Sequence, residues 1–134
     1  VWGAVAVALP TTLFADWVIL ILYGADFQEA ADVLKMYIWA GVFVSLGVAS
    51  SKWLIAENLE RYSFYSTLLG AILNIVCNFY LIPIYGIRGA ALATLISYGT
   101  AAYLSMAIFE KTRNNFWIAT RALNPYAVYL RATR

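Results

Sequence analysis

Three kinds of residue in this 134-residue chain stand out because they are polar and lie inside long apolar runs. Asp16 is the first. A carboxylate in hydrocarbon must hold a cation or proton, or reach water. Pro10 precedes it by six residues, and a helical proline bends the backbone and frees carbonyls. Asp16 therefore suits either cation coupling or a bend that reaches the headgroup layer. Lys52 shares one helical face with Gly41, Ser45 and Ala49. It either snorkels to the interface or faces inward to meet an anionic ligand. Asn74 and Asn78 follow Gly70 at spacings of four, flanked by Thr67 and Cys77. An amide there bonds a neighbouring helix or lines a wet cavity. A fourth feature carries no chemistry of its own. Gly89, Ala93, Ser97, Ala101 and Ser105 repeat every four residues, a small-residue face for close helix packing or a cavity wall.

Several chemistries are excluded by residue type. There is no histidine, so histidine triads, histidine metal sites and histidine proton shuttles are absent. One cysteine, Cys77, cannot form an intrachain disulfide and reads as a small buried residue. No metal or cofactor site is expected. Gly86-Ile87-Arg88-Gly89 lacks the Lys-Ser/Thr of a phosphate loop and reads as a turn. Only 12% of residues are charged and 63% are hydrophobic, against about 25% charged in soluble domains. Nine basic and seven acidic residues, net +2, make no nucleic-acid surface.

The elements that must position these residues are membrane helices. Crossing a bilayer takes about 20 apolar residues. Four runs qualify, over about residues 1–23, 33–56, 62–84 and 89–109. Runs this apolar satisfy their backbones internally as helices. A buried soluble core would leave almost no polar surface. The links, Gly24 to Asp32, Glu57 to Arg61 and Tyr85 to Arg88, are short and predict antiparallel neighbours. By parity, Lys35 and Arg88 lie at one end of the bundle. Arg61, Lys111, Arg113, Arg121, Arg131 and Arg134 lie at the other. The positive-inside rule makes the second end cytoplasmic. Tyr23, Phe27, Trp53, Tyr62, Tyr85 and Phe109 sit where aromatic belts form. The chain opens without Met inside an apolar run, as expected of a piece of a longer membrane protein.

Tyr23-Gly24 and Tyr85-Gly86 echo each other, and each precedes an Ala-Ala helix start. The echo is either two similar glycine-closed turns or a duplicated hairpin. Residues 1–109 are thus expected as a four-helix transmembrane unit. Residues 110–134 form an amphipathic basic tail, with Phe116, Trp117, Leu123, Tyr126 and Tyr129 among its cations. That composition suits an anionic cytoplasmic leaflet, and Asn124-Pro125 is expected to break it in two.

Longer motifs point to a family. Leu22-Tyr23-Gly24, an acidic loop and Ala31-Asp32-Val33-Leu34 resemble the late spans of polysaccharide flippases. So does Leu54-Ile55-Ala56-Glu57-Asn58-Leu59. The most specific stretch is Leu81-Ile82-Pro83-Ile84-Tyr85-Gly86-Ile87-Arg88-Gly89-Ala90-Ala91, after Asn74 and Asn78. Residues 1 to about 110 look like the C-terminal part of a Wzx-type O-antigen or polysaccharide transporter. That family belongs to the multidrug/oligosaccharidyl-lipid/polysaccharide exporter superfamily. The resemblance implies an all-α integral membrane protein with four antiparallel helices, the last part of the C-lobe of a MATE-like transporter. It implies export of polyprenyl-diphosphate-linked oligosaccharide by alternating access in a bacterial cytoplasmic membrane. The partners are membrane lipids, that substrate and the polysaccharide polymerase machinery. No catalytic motif transfers, so the expected protein is not an enzyme. On that reading Lys52 and Arg61 meet diphosphate or acidic sugars, Asn74 and Asn78 line the cavity, and Asp16 couples transport.

Three other functions compete. A cation-coupled drug antiporter of the same fold usually carries more acids in these helices than Asp16. A membrane glycan polymerase or transferase needs catalytic acids or arginines in large outer loops, and the loops here are tiny. A scaffold subunit is the third.

Overall fold

Why these residues form helices follows from their apolar length, since a backbone in lipid must bond to itself. The computed structural model describes residues 1–123. Four helices there are long and apolar enough to cross a membrane. They are α1 (Trp2–Tyr23), α2 (Gln28–Ala56), α3 (Glu60–Tyr85) and α4 (Ile87–Ile108). A fifth helix, α5 (Arg113–Leu123), follows a 3-10 turn at Glu110–Thr112. The architecture is all-α, as expected. Residues 124–134 lie outside the described part, and with them Asn124-Pro125, Tyr126, Tyr129, Arg131 and Arg134.

α2 starts at Gln28, before the apolar run begins at Val33. Hydropathy missed this start because its first turn carries Glu29 and Asp32 follows directly after it. Acids at a helix N-terminus favour the helix through its dipole. The first link is therefore only Gly24 and a 3-10 turn at Ala25–Phe27. α1 runs continuously through Pro10. Thr11 and Thr12 hydroxyls donate to the Val7 and Ala8 carbonyls beside it, at 2.8 and 2.7 Å.

The three turns close differently. Gly24 and Gly86 have φ of 87° and 57°, where a Cβ would be strained. Their amides bond the Leu20 and Ile82 carbonyls. The middle turn is a Schellman motif built on Asn58, whose φ is 54°. The Asn58 amide reaches the Ile55 carbonyl at 3.1 Å, and the Leu59 amide reaches Leu54 at 2.7 Å. That is the pattern in which a left-handed residue closes a helix, and it explains the Glu57-Asn58-Leu59 sequence locally.

The helices form a row: α1 on α2, α2 on α4, α4 on α3. Glycines set the seams. A Cβ on Gly47 would meet the Ala102 Cβ at 3.4 Å. One on Gly70 would meet the Ala101 Cβ at 2.7 Å and the Ser97 carbonyl at 3.3 Å, and one on Gly89 would run into the Leu81 carbonyl. Such close backbones are how helices associate in lipid. α4 contains a π-helical turn at Thr100–Leu104, a feature that wedges one helix and often marks functional segments. α5 folds back onto the bundle. Thr112 donates to the Met106 carbonyl at 2.9 Å, and the Tyr103 and Thr120 hydroxyls lie 2.8 Å apart. Ala119 packs with Leu46 and Met106.

Candidate functional site: a hydroxyl-lined groove and an ion-pair ladder

α2 and α3 leave the Asn58 turn together and then diverge, while α4 packs behind both. A hydrogen bond of 3.2 Å between the Ser51 and Ser63 hydroxyls ties α2 to α3. Beyond it a groove of about 730 Å³ opens, walled by α2 and α3 and floored by α4. Its polar lining is mostly hydroxyl: Ser51, Ser63, Ser66, Thr67, Thr94 and Ser97, with the Asn74 amide. Val44, Val48 and Ile55 supply apolar wall.

The hydroxyls are held by their own helices. Ser66, Thr67, Thr94 and Ser97 donate to carbonyls four residues back, at 2.8, 2.9, 3.0 and 2.6 Å. Their protons are spent, but each oxygen keeps lone pairs for a ligand's O–H or N–H donors. Among the described residues Lys52 is the one charged group in the lining, exposed and without a partner, and no acid lines the groove. The groove thus offers acceptors along its length and one cation near the Asn58 end.

Lys52 and Asn74 both line this groove, Lys52 nearer the Asn58 turn. Asn78 stands one turn further along α3, donating to the Asn74 side-chain oxygen at 2.9 Å. Its own side-chain oxygen is buried without a partner among the described residues. Arg61 is exposed beside the Asn58 turn, with its guanidinium 5.7 Å from the centre of the adjacent Tyr62 ring. It does not line the groove. In the small-residue face, Gly89, Ala93, Ser97 and Ser105 are buried and Ala101 is half-buried. Ser97 and Ala101 both press on Gly70 and form part of the groove floor.

Asp16 lies elsewhere. Its carboxylate takes two hydrogen bonds from the Lys35 ammonium, at 2.7 and 2.8 Å. Lys35 also faces Asp32 at 3.7 Å, and Asp32 meets the Arg88 guanidinium at 2.9 Å. The four charges form a neutral ladder that joins α1, α2 and α4. At 3.6 residues per turn, Lys35 points about half a turn away from Val44 and Ile55, so ladder and groove occupy opposite sides of α2. Sequence reasoning missed Lys35 as the partner of Asp16, and the Asp32–Arg88 pair that extends the ladder. One signal was present: Asp16 and Lys35 lie seven residues from the helix ends, Tyr23 and Gln28, on either side of the Gly24 turn. It also missed the groove hydroxyls, because serine and threonine are ordinary in apolar helices.

Comparison with known proteins agrees with this architecture in part. The chain is 30% identical over 92 residues to the probable low-salt glycan biosynthesis flippase Agl15 of Haloferax volcanii, covering 69% of this chain and 20% of that protein. It is 38% identical over 69 residues to an uncharacterized membrane protein of Methanocaldococcus jannaschii, covering 52% of this chain and 17% of the other. The aligned part is about a fifth of the length of these curated relatives. No protein-family profile matches the chain, and no solved structure matches it. What stands is an all-helical chain with four helices able to cross a membrane and similarity to a flippase-like membrane protein.

Proposed function

We propose that this chain is part of a membrane flippase for surface-glycan synthesis. The whole protein moves polyprenyl-diphosphate-linked oligosaccharide from the cytoplasmic to the outer leaflet by alternating access. It is a transporter of the cytoplasmic membrane and not an enzyme. The Gly24 and Gly86 turns face outward and α5 faces the cytoplasm, following the excess of cations at the α5 end. The cargo belongs to a bacterial surface polysaccharide such as O-antigen, capsule or exopolysaccharide, or to an equivalent archaeal glycan. The polysaccharide polymerase machinery is a further partner.

The observation that carries this reading is the groove. A hydroxyl-lined channel with one cation and no acid suits a polyhydroxylated ligand bearing an anionic group. Lys52 meets the diphosphate or an acidic sugar, Arg61 attracts it at the cytoplasmic surface, and Asn74 with Asn78 forms the cavity wall. Asp16 couples transport by exchanging Lys35 for a cation or proton. The similarity to a glycan-biosynthesis flippase supports the same reading. A cation-coupled drug antiporter has less support, because a cationic drug would meet Lys52 and no acid in the groove.

Deletion of the full-length gene tests the proposal. Complete lipid-linked oligosaccharide is expected to build up on the cytoplasmic face, measured by its resistance to an externally added glycosidase. Normal outer-face delivery together with lost drug efflux would favour the antiporter.

A further inference from the structure

Lys111, Arg113 and Arg121 belong to neither the groove nor the ladder. All three are exposed, and none forms an ion pair among the described residues. Arg113, Trp117 and Arg121 recur every four residues on α5 and so form one stripe. Asn115 and Ala119, with Thr112 just before the helix, are buried on the opposite side, against the bundle. Trp117 is 56% exposed and Ile118 beside it 46%. The outward face of α5 thus sets an indole between two guanidiniums.

The direction of α5 decides where that face lies. Thr112 bonds the Met106 carbonyl, the Phe116 ring centre lies 4.8 Å from that of Tyr103, and Thr120 meets the Tyr103 hydroxyl. From Thr112 to Thr120 the chain advances about 12 Å, while its partners on α4 move back only about 4.5 Å, from Met106 to Tyr103. Ala119 then reaches Leu46 of α2. α5 therefore crosses the spanning helices instead of running back along them, which lays it parallel to the membrane plane. Met106 and Tyr103 stand about 3 and 8 Å short of the end of α4 at Ile108. In-plane amphipathic helices sit about 5–10 Å into the headgroup boundary, so α5 lies at the matching depth.

From this depth and chemistry we propose that α5 is an in-plane anchor whose Arg113, Trp117 and Arg121 dock on the headgroups of anionic lipids at the Asn58 end of the bundle. Water alone solvates the guanidiniums but not the indole. A further helix would cover the indole and strand both guanidiniums unless it brought its own acids. The headgroup layer takes both kinds of group: lipid phosphates receive the guanidinium donors, and an indole prefers the boundary between headgroup and acyl chain. Lys111 adds a third cation on the same approach, and anionic leaflets attract such clusters. The anchor holds whichever cargo the groove carries.

Fluorescence quenching tests it in the full-length protein, reconstituted in phosphatidylcholine vesicles with Cys77 and any other native cysteine replaced by alanine. Ile118→Cys carries a bimane fluorophore beside the intact stripe. Phosphatidylglycerol or phosphatidylcholine with a nitroxide high on the acyl chain reports lipid contact, and iodide on both sides of the membrane reports water. The anchor predicts half-quenching at a mole fraction of nitroxide phosphatidylglycerol at least threefold lower than of nitroxide phosphatidylcholine. Arg113→Gln/Arg121→Gln, which changes only exposed side chains, should abolish that preference with folded amount unchanged by size exclusion. Equal quenching by the two lipids would overturn the proposal, as would a preference that survives the double substitution. Quenching by iodide alone would place α5 in water, and quenching by none of the three would place it under further protein; either result overturns the anchor.

Discussion

The groove and the ladder are two ways of carrying polarity through an apolar bundle. In the groove, neutral hydroxyls borrow backbone carbonyls of their own helix, so no long-range partner is needed. Such groups cost little in lipid and can be placed singly. In the ladder, each formal charge needs its opposite from another turn or another helix. The groove can therefore tolerate substitution and still assemble, while the ladder ties α1, α2 and α4 together. Lys52 is the exception that sharpens the contrast. It is a charge placed in the groove with no partner among the described residues, which is why the cargo is assigned to it.

The largest effect is expected at the seam between α3 and α4 that floors the groove. Gly70→Leu puts a branched side chain where even a Cβ would lie 2.7 Å from Ala101. Overpacking costs about 1–3 kcal/mol or more, and α3 cannot retreat without opening the groove floor. The full-length protein is expected to drop at least tenfold in folded amount, read by fluorescence-detected size exclusion. Normal abundance would show that α3 and α4 do not pack through Gly70.

Charge reversal in the ladder comes next. Asp16→Lys sets two cations together and should lower folded protein about fivefold. The exchange Asp16→Lys/Lys35→Asp should restore most of it, since the pair is re-formed with opposite polarity. Failure of the exchange to rescue would break the claim that the two residues act as a pair. In the groove, Asn74→Ala should leave abundance unchanged and lower glycan export severalfold. The smallest effect is expected from Tyr103→Phe, which removes the hydroxyl contact to Thr120. It should cost about 1 kcal/mol, a small fall in thermal midpoint without loss of export.

Much of the fold was legible because the relevant physics is local. Apolar length marks the four spans, and glycine marks the two outer turns, where φ is positive. The Asn58 Schellman closure was not read from Glu57-Asn58-Leu59, which the sequence marked only as a short link; the left-handed φ of Asn58 is seen in the structure. The start of α2 was misplaced because acids that favour a helix N-terminus look like loop to a hydropathy count. The π turn at Thr100–Leu104 had no clear sequence signal, since Gly99-Thr100 is compatible with a straight helix. The site was legible only in part. Lys52 and Asn74 were visible as polar residues in apolar runs, but their sharing one groove depends on α2 and α3 diverging over α4. The partnership of Asp16 with Lys35 depends on which helix packs beside α1, and that order is a tertiary fact.

The most direct test of the central claim is the leaflet distribution of lipid-linked oligosaccharide in cells whose full-length protein carries Lys52→Ala, with Lys52→Arg beside it. The account predicts wild-type abundance for both, about tenfold accumulation of cargo on the cytoplasmic face for Lys52→Ala, and near-normal delivery for Lys52→Arg. Normal delivery by Lys52→Ala at wild-type abundance would contradict the assignment of the groove as the path of an anionic glycan lipid.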